Sequence, residues 1–395
     1  MQNLKSQFLL DPEIAYLNFG SFGATPKPIF EDYQKWQLEL EREPAQFIQV
    51  NGLGYLKQSR DALGRYVNCN GDDLVYITNP SYGTNIVAKS FKLEPGDEIL
   101  TTDLEYGACD KTWNYYCKKA GAKYIRQKIN FPVTTKEKFV EDFFKGLSSK
   151  TKLIFISKIT STTGLILPAE EICEIARQKG IMTFVDGAHV PGHIPLDLQK
   201  INADIYVGAC HKWMMTPKGS SFLYVKKEFQ HLLDPLVVSW GYDAMFPSDS
   251  QFLDYHQSQG TRDFSAFLTI PKAIEFMERN NWWNVAAQCR DMVKKNALRF
   301  CELVGTEPLS PITDEWLGQM FSIPIDTPEP EKLQRHLFEK YKVEIPAMRH
   351  DGKVFLRYSI NAYNTPNDLD RLYDALTETI SKTNLLQTSK SKINS

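Results

Sequence analysis

From residue 74 onward the chain alternates short apolar runs with longer helical stretches. The runs fall at residues 74–77, 98–100, 122–125, 153–156, 182–185, 205–207 and 222–225. Several hold apolar side chains at consecutive positions, which a strand bears only when both its faces are covered. Such strands interleaved with helical patterns predict an α/β fold, a large domain with a mostly parallel seven-stranded sheet between helices. The segment before them reads differently. Asn18-Phe19-Gly20-Ser21-Phe22-Gly23, followed by Pro26 and Pro28, predicts a loop feeding a helix with Phe30, Tyr33, Trp36 and Leu40 on one face.

After Tyr242 a loop region leads into one long helical pattern, residues 268–304, interrupted only at Pro271. Beyond it come a strand (320–325), a helix (329–341), strands at 343–346 and 354–358, and a helix (366–380), a compact α+β unit. The pattern predicts a large domain at residues 16–265 and a smaller C-terminal domain at 266–381 that also takes in residues 1–15. Residues 382–395, polar and rich in lysine, predict a flexible tail.

Composition narrows the function. At 395 residues, 42% hydrophobic and 24% charged, the chain is globular and long enough for two domains. Its 46 Lys and Arg against 48 Asp and Glu leave a net charge of −2, so no global field recruits nucleic acid or an anionic membrane. A small neutral or zwitterionic substrate fits better. No apolar stretch is long enough to cross a bilayer, and the first residues lack the apolar core of a signal peptide, which predicts a cytoplasmic protein. The 7 cysteines are scattered without a CxxC pair, as reduced thiols in such a compartment are. A metal site built from Asp186, His189, His193 and His211 is not expected, because Gly187, Pro191 and Gly192 preclude the helix that would set the spacing. Neither a phosphate-binding Walker loop nor a GxSxG elbow occurs.

The chemistry concentrates between Asp186 and Lys212. Val185-Asp186-Gly187-Ala188-His189 follows one predicted strand, and Ala209-Cys210-His211-Lys212-Trp213 follows the next. In parallel α/β sheets ligands bind at those carboxyl ends. A lysine there can bond an aldehyde cofactor, and a carboxylate beside it can keep a pyridinium nitrogen protonated; the two roles describe pyridoxal 5'-phosphate. The plainer reading is a capping aspartate and a solvated lysine. Two further features weigh against it. Ile77 to Asn85 places small hydroxyl residues between a strand and an amphipathic run, a helix start suited to a phosphate. Arg357, a lone cation in the apolar run 354–358, suits a substrate carboxylate. Among the aromatics, Trp36, Trp113, Trp213, Trp282 and Trp283 read as packing elements, and Cys210 as a buried filler.

These residues resemble the class-V aminotransferase family of fold-type I pyridoxal-phosphate enzymes, most closely its isopenicillin N epimerase-like branch. The stretches that carry the resemblance include Tyr16 to Gly23, Asn79 to Asn85, Glu105-Tyr106-Gly107-Ala108, Ser161 to Pro168, Asp186 to His189, His211-Lys212-Trp213, Gly260-Thr261-Arg262-Asp263 and Arg357-Tyr358-Ser359. They run in family order over nearly the whole chain.

The resemblance implies Lys212 as the lysine that carries the cofactor, Asp186 as partner of the pyridinium nitrogen and His189 as partner of the ring hydroxyl. It implies Tyr106 against the ring face, Ser161 near the ring hydroxyl, and Ser81, Tyr82 and His211 at the phosphate. Thr261 would reach the phosphate of a neighbouring subunit, which implies a homodimer with shared active sites. Arg357, with Arg262 as a second anchor, would hold the carboxylate of a small amino-acid substrate. Two departures matter. Ala209 stands where desulfurases have a phosphate-binding serine, and the loop 344–352 has no cysteine. Sulfur transfer through a mobile thiol is therefore not expected. Epimerisation, transamination and elimination all begin with loss of the Cα proton, and the sequence leaves the choice among them open, as it does a cofactor-binding protein without turnover.

Overall fold

The computed structural model describes residues 4–388. Among them the strands in chain order are β1 (Ala15–Tyr16), β2 (Leu74–Ile77), β3 (Glu98–Thr102), β4 (Lys123–Gln127), β5 (Thr151–Ser157), β6 (Met182–Gly187), β7 (Ile205–Ala209), β8 (Ser221–Val225), β9 (Met320–Ile325), β10 (Val343–Glu344), β11 (Ala347–His350) and β12 (Lys353–Ser359). All seven apolar runs are strands of one sheet, in the order β2-β8-β7-β6-β5-β3-β4. Only β8 runs against the others.

Period-two alternation within these strands feeds two cores. Val75, Ile99, Leu153, Phe155, Phe184 and Val207 face one side, while Tyr76, Leu100, Ile154, Ile156, Val185 and Tyr206 face the other. Of the two edge strands, β4, Lys-Tyr-Ile-Arg-Gln, is polar and partly exposed, whereas β2 is apolar and buried.

The C-terminal unit is built on the antiparallel sheet β11-β12-β9. The start of the chain belongs with it. Leu4 N–H donates to the Ala362 carbonyl at 3.0 Å, β1 pairs with β10, and Asn18 bridges Ser359.

Three expectations need correction. The pattern 268–304 is not one helix but Ser265–Leu268, Ile270–Arg279 and Trp282–Val304, because Asn281 adopts φ 49° and turns the chain. Residues 347–350, read as loop, form β11 of a hairpin whose tip is Asp351-Gly352, both at positive φ. The predicted tail is packed as far as it is described. Leu386 is 2% exposed, and Gln387 N–H donates to the Asp326 carbonyl. The remainder, 389–395, lies outside the described residues.

Candidate active site

Strands β5, β6 and β7 end side by side, with Ser157 in register with Asp186 and Gly187 with Gly208. A cavity of about 310 Å³ opens at that edge, lined among others by Ser21, Ser81, Tyr106, Ser157, Asp186 and Lys212. Asp186 continues the face of β6 that holds Phe184, so alternation alone aims its carboxylate from the core towards the strand end. Gly23 (φ 64°) packs against the backbone of His211 and Lys212. A Cβ there would lie 2.3 Å from the His211 carbonyl oxygen, so the N-terminal segment can rest on the Lys212 backbone only as glycine.

Asp186 is 3% exposed. Its Oδ1 accepts from Ala188 N–H at 2.8 Å, and the Cys109 thiol points to Oδ2 at 3.6 Å. Burial pushes its pKa up, opposed by the Ala188 bond and by Lys212. Lys212 Nζ lies 3.1 Å from His189 Nε2. Desolvation, with the Arg357 charge added, pushes the Lys212 ammonium down to about 8, against the pull of Asp186. The same burial and the Lys212 charge hold His189 well below the usual histidine range, so it is neutral. Its Nδ1 accepts from the Trp213 indole N–H at 3.3 Å.

The anion end is made by the helix Pro80–Ser90, which begins nearly two turns before the amphipathic run at Ile86. Asn79 caps it, accepting from Tyr82 N–H at 2.9 Å. Ser81, in the first turn, lines the cavity with His211. His211 Nδ1 donates to the Ser220 carbonyl at 2.8 Å, leaving Nε2 for a ligand. Burial, reinforced by Lys212 and Lys218, pushes His211 down to about 4. Tyr82 is not brought to this cavity: its hydroxyl donates to Gln259 at 3.1 Å.

Arg357 is fully buried. It donates to the Ser161 carbonyl, to Ser161 Oγ at 3.3 Å and to Ser21 Oγ at 2.8 Å. All these partners are neutral, and its Nε has none. Burial pushes it down to about 10. A guanidinium buried among neutral oxygens is poised for an anion, because desolvation of the charge is otherwise uncompensated. Thr261 and Arg262 stand elsewhere, on a second cavity of about 370 Å³ with Trp240 and Gln257. The Arg262 guanidinium sits 5.6 Å from the Phe267 ring centre.

Sequence reasoning missed Ser157, Ser21 and Glu105. The strand-end rule that found Asp186 could have found Ser157 on the adjacent strand. Glu105 is 7% exposed; its carboxylate accepts from Thr102 Oγ1 at 2.6 Å and from Ser157 N–H and Oγ at 2.9 and 2.5 Å. Burial pushes its pKa up to about 8. It ties β3 to β5 just before Tyr106.

A buried carboxylate, a low-pKa lysine and a helix start around one cavity, with a buried arginine behind its Ser21 and Ser161 lining, have the donor set that pyridoxal phosphate and an amino acid need. Fold and site together define a fold-type I pyridoxal-phosphate enzyme. The family model for aminotransferase class-V matches residues 33–372, and the chain belongs to that family. It is 32% identical to isopenicillin N epimerase of Streptomyces clavuligerus, over 95% of this chain and 97% of that one. It is 28% identical to a probable chloroplastic L-cysteine desulfhydrase of Arabidopsis thaliana, over 93% and 83%. Among solved structures, a mutant of C-DES with glycine covalently linked to the PLP cofactor superposes with a TM-score of 0.80 at 19% identity, covering 95% of this chain and 99% of that one. The cofactor of this family is pyridoxal 5'-phosphate. No helix among the described residues is long and apolar enough to cross a membrane.

Proposed function

We propose that the chain removes the Cα proton of an amino acid in an isopenicillin N epimerase-like reaction. The observation that carries this is Lys212: an amine lowered to about 8 beside a buried carboxylate and across from an unpaired buried guanidinium. Arg357 binds the substrate carboxylate and so orients the Cα–H bond. Asp186 keeps a proton on the ring nitrogen. Pyridoxal phosphate, when bound, supplies the electron sink for the Cα carbanion. Lys212 Nζ takes the proton and is the nearest group to return it. His189 and Ser161 serve the ring hydroxyl, Tyr106 covers the ring, and Ser81 and His211 take the phosphate.

We assign Thr261, with Arg262 beside it, to a neighbouring subunit's site in a homodimer. The exposed apolar run Val238, Trp240, Met245 and Phe246 next to that cavity supports this. The seven free cysteines support a cytoplasmic location. The large and small domains predicted at 16–265 and 266–381 are proposed to carry cofactor and carboxylate sites respectively.

One feature favours a second reading, a carbon–sulfur lyase. The cavity lining offers a single amine, Lys212; an epimerase uses a proton carrier on each side of Cα, a lyase needs one. Incubation with a panel of amino acids in deuterated water separates the two. Solvent deuterium in an inverted product establishes the epimerase, and release of sulfide or a cleaved side chain establishes the lyase. Keto acid would make it an aminotransferase, and no Cα exchange on any amino acid would overturn the proposal.

A further inference from the structure

Trp213 is fully buried and was expected only to pack. It does pack: its ring stacks on His193 with centroids 4.0 Å apart and planes at 24°, and meets Phe19 at 5.1 Å. Its indole N–H, however, ends on His189 Nδ1 at 3.3 Å. An indole nitrogen can only donate. His189 Nδ1 must therefore accept, and a neutral imidazole that accepts at Nδ1 carries its proton on Nε2.

We infer that Trp213 is a positioning residue that fixes the tautomer of His189, so that the nitrogen facing Lys212 carries the proton and donates to the neutral Lys212 amine at 3.1 Å. The inference rests on the proposed cofactor site, where an Nε2–H is the form that can donate to the ring hydroxyl oxygen.

The surroundings hold this arrangement from behind. Gln319 N–H donates to His193 Nε2 at 2.5 Å. His193 therefore carries its proton on Nδ1, and donates it to the His189 carbonyl at 2.9 Å. The carbonyl and Nδ1 of His189 are thus both engaged, one by each ring of the stacked pair. Double protonation of His189 would set two N–H groups against each other at Nδ1. That agrees with the direction in which burial, Lys212, Arg357, His193 and His211 already push it.

The test is long-range ¹H–¹⁵N correlation on the full chain with ¹⁵N-labelled histidine, recorded above the Lys212 pKa of about 8, where the amine can accept from Nε2–H, with and without pyridoxal phosphate. Loss of one signal pair in His189→Gln makes the assignment. The expected pattern for His189 is a protonated Nε2 and a bare Nδ1; a protonated Nδ1 overturns the inference without any further variant. In Trp213→Phe, checked for cooperative unfolding, the Nε2–H form should lose its dominance and pyridoxal phosphate should bind about tenfold more weakly. An unchanged tautomer in a folded Trp213→Phe would remove Trp213 as the cause. A wild-type chain that binds no pyridoxal phosphate would sink the functional proposal, yet the tautomer read without cofactor would stand.

Discussion

Arg357 and Ser21 meet at 2.8 Å although 336 residues separate them in sequence. The contact brings the N-terminal segment, which also lies on the Lys212 backbone, against the cation of the C-terminal sheet. The guanidinium thereby sits behind Ser21 and Ser161, which line the cavity, with no carboxylate of its own.

Arg357→Leu should separate activity from stability. Losing a buried charge partner costs about 2–5 kcal/mol in binding, so kcat/KM should fall at least about 30-fold. Loss of the uncompensated buried charge offsets the hydrogen bonds lost at Ser161 and Ser21, so stability should change by no more than about 1 kcal/mol. Steady-state kinetics and thermal unfolding of the same variant check both halves.

The amine of Lys212 must be unprotonated to attack an aldehyde. Burial lowers its pKa to about 8, so covalent capture of pyridoxal phosphate by the cofactor-free chain should accelerate about tenfold per unit below that pH and level off above it. Stopped-flow absorbance gives the profile. Lys212→Ala should abolish capture and lower turnover by a factor of about 10² or more.

Glu105 ionises above about 4.5 when unfolded but above about 8 when folded. Between those values the folded state binds the extra proton, so its contribution is complete below 4.5 and is lost as pH rises towards 8. Glu105→Gln, which does not titrate, should gain stability relative to wild type as pH goes from 5 to 8. Urea midpoints at the two pH values decide it; a constant difference would show that Glu105 does not titrate in this range.

Gly318 packs against His193 so closely that a Cβ would lie 2.2 Å from Nε2. Gly318→Ala must push His193 off its bonds to Gln319 and His189, costing about 1–3 kcal/mol. Chemical denaturation measures this, and cofactor affinity should fall with it.

Trp240 is 82% exposed and Phe246 is 89% exposed. Trp240→Glu paired with Phe246→Glu should convert the proposed dimer to a 45.3 kDa monomer by light scattering. Cofactor retention should fall too, since Thr261 would no longer reach a neighbouring phosphate site.

What the sequence made legible follows from range. The seven strands are local patterns, and their apolar runs needed no partner to be recognised. Asp186 and Lys212 were legible because strand ends define the ligand edge. Ser21 reaches the site because the N-terminal segment folds back onto Arg357, and Glu105 through Ser157, contacts that no spacing encodes. Asn281 hid a break because nothing in helical periodicity marks a left-handed residue. Leu386 looked like tail because its packing partners lie far away in sequence.

The Ser21–Arg357 contact also orders events during synthesis. The sheet edge that presents Asp186 and Lys212 is complete once Val225 has left the ribosome, because every strand of that sheet is already made. Arg357 emerges much later. With the roles proposed for Lys212, Asp186 and Arg357, a nascent chain would hold the groups for cofactor capture before it holds the group for substrate, and its catalytic competence would wait on the last strand.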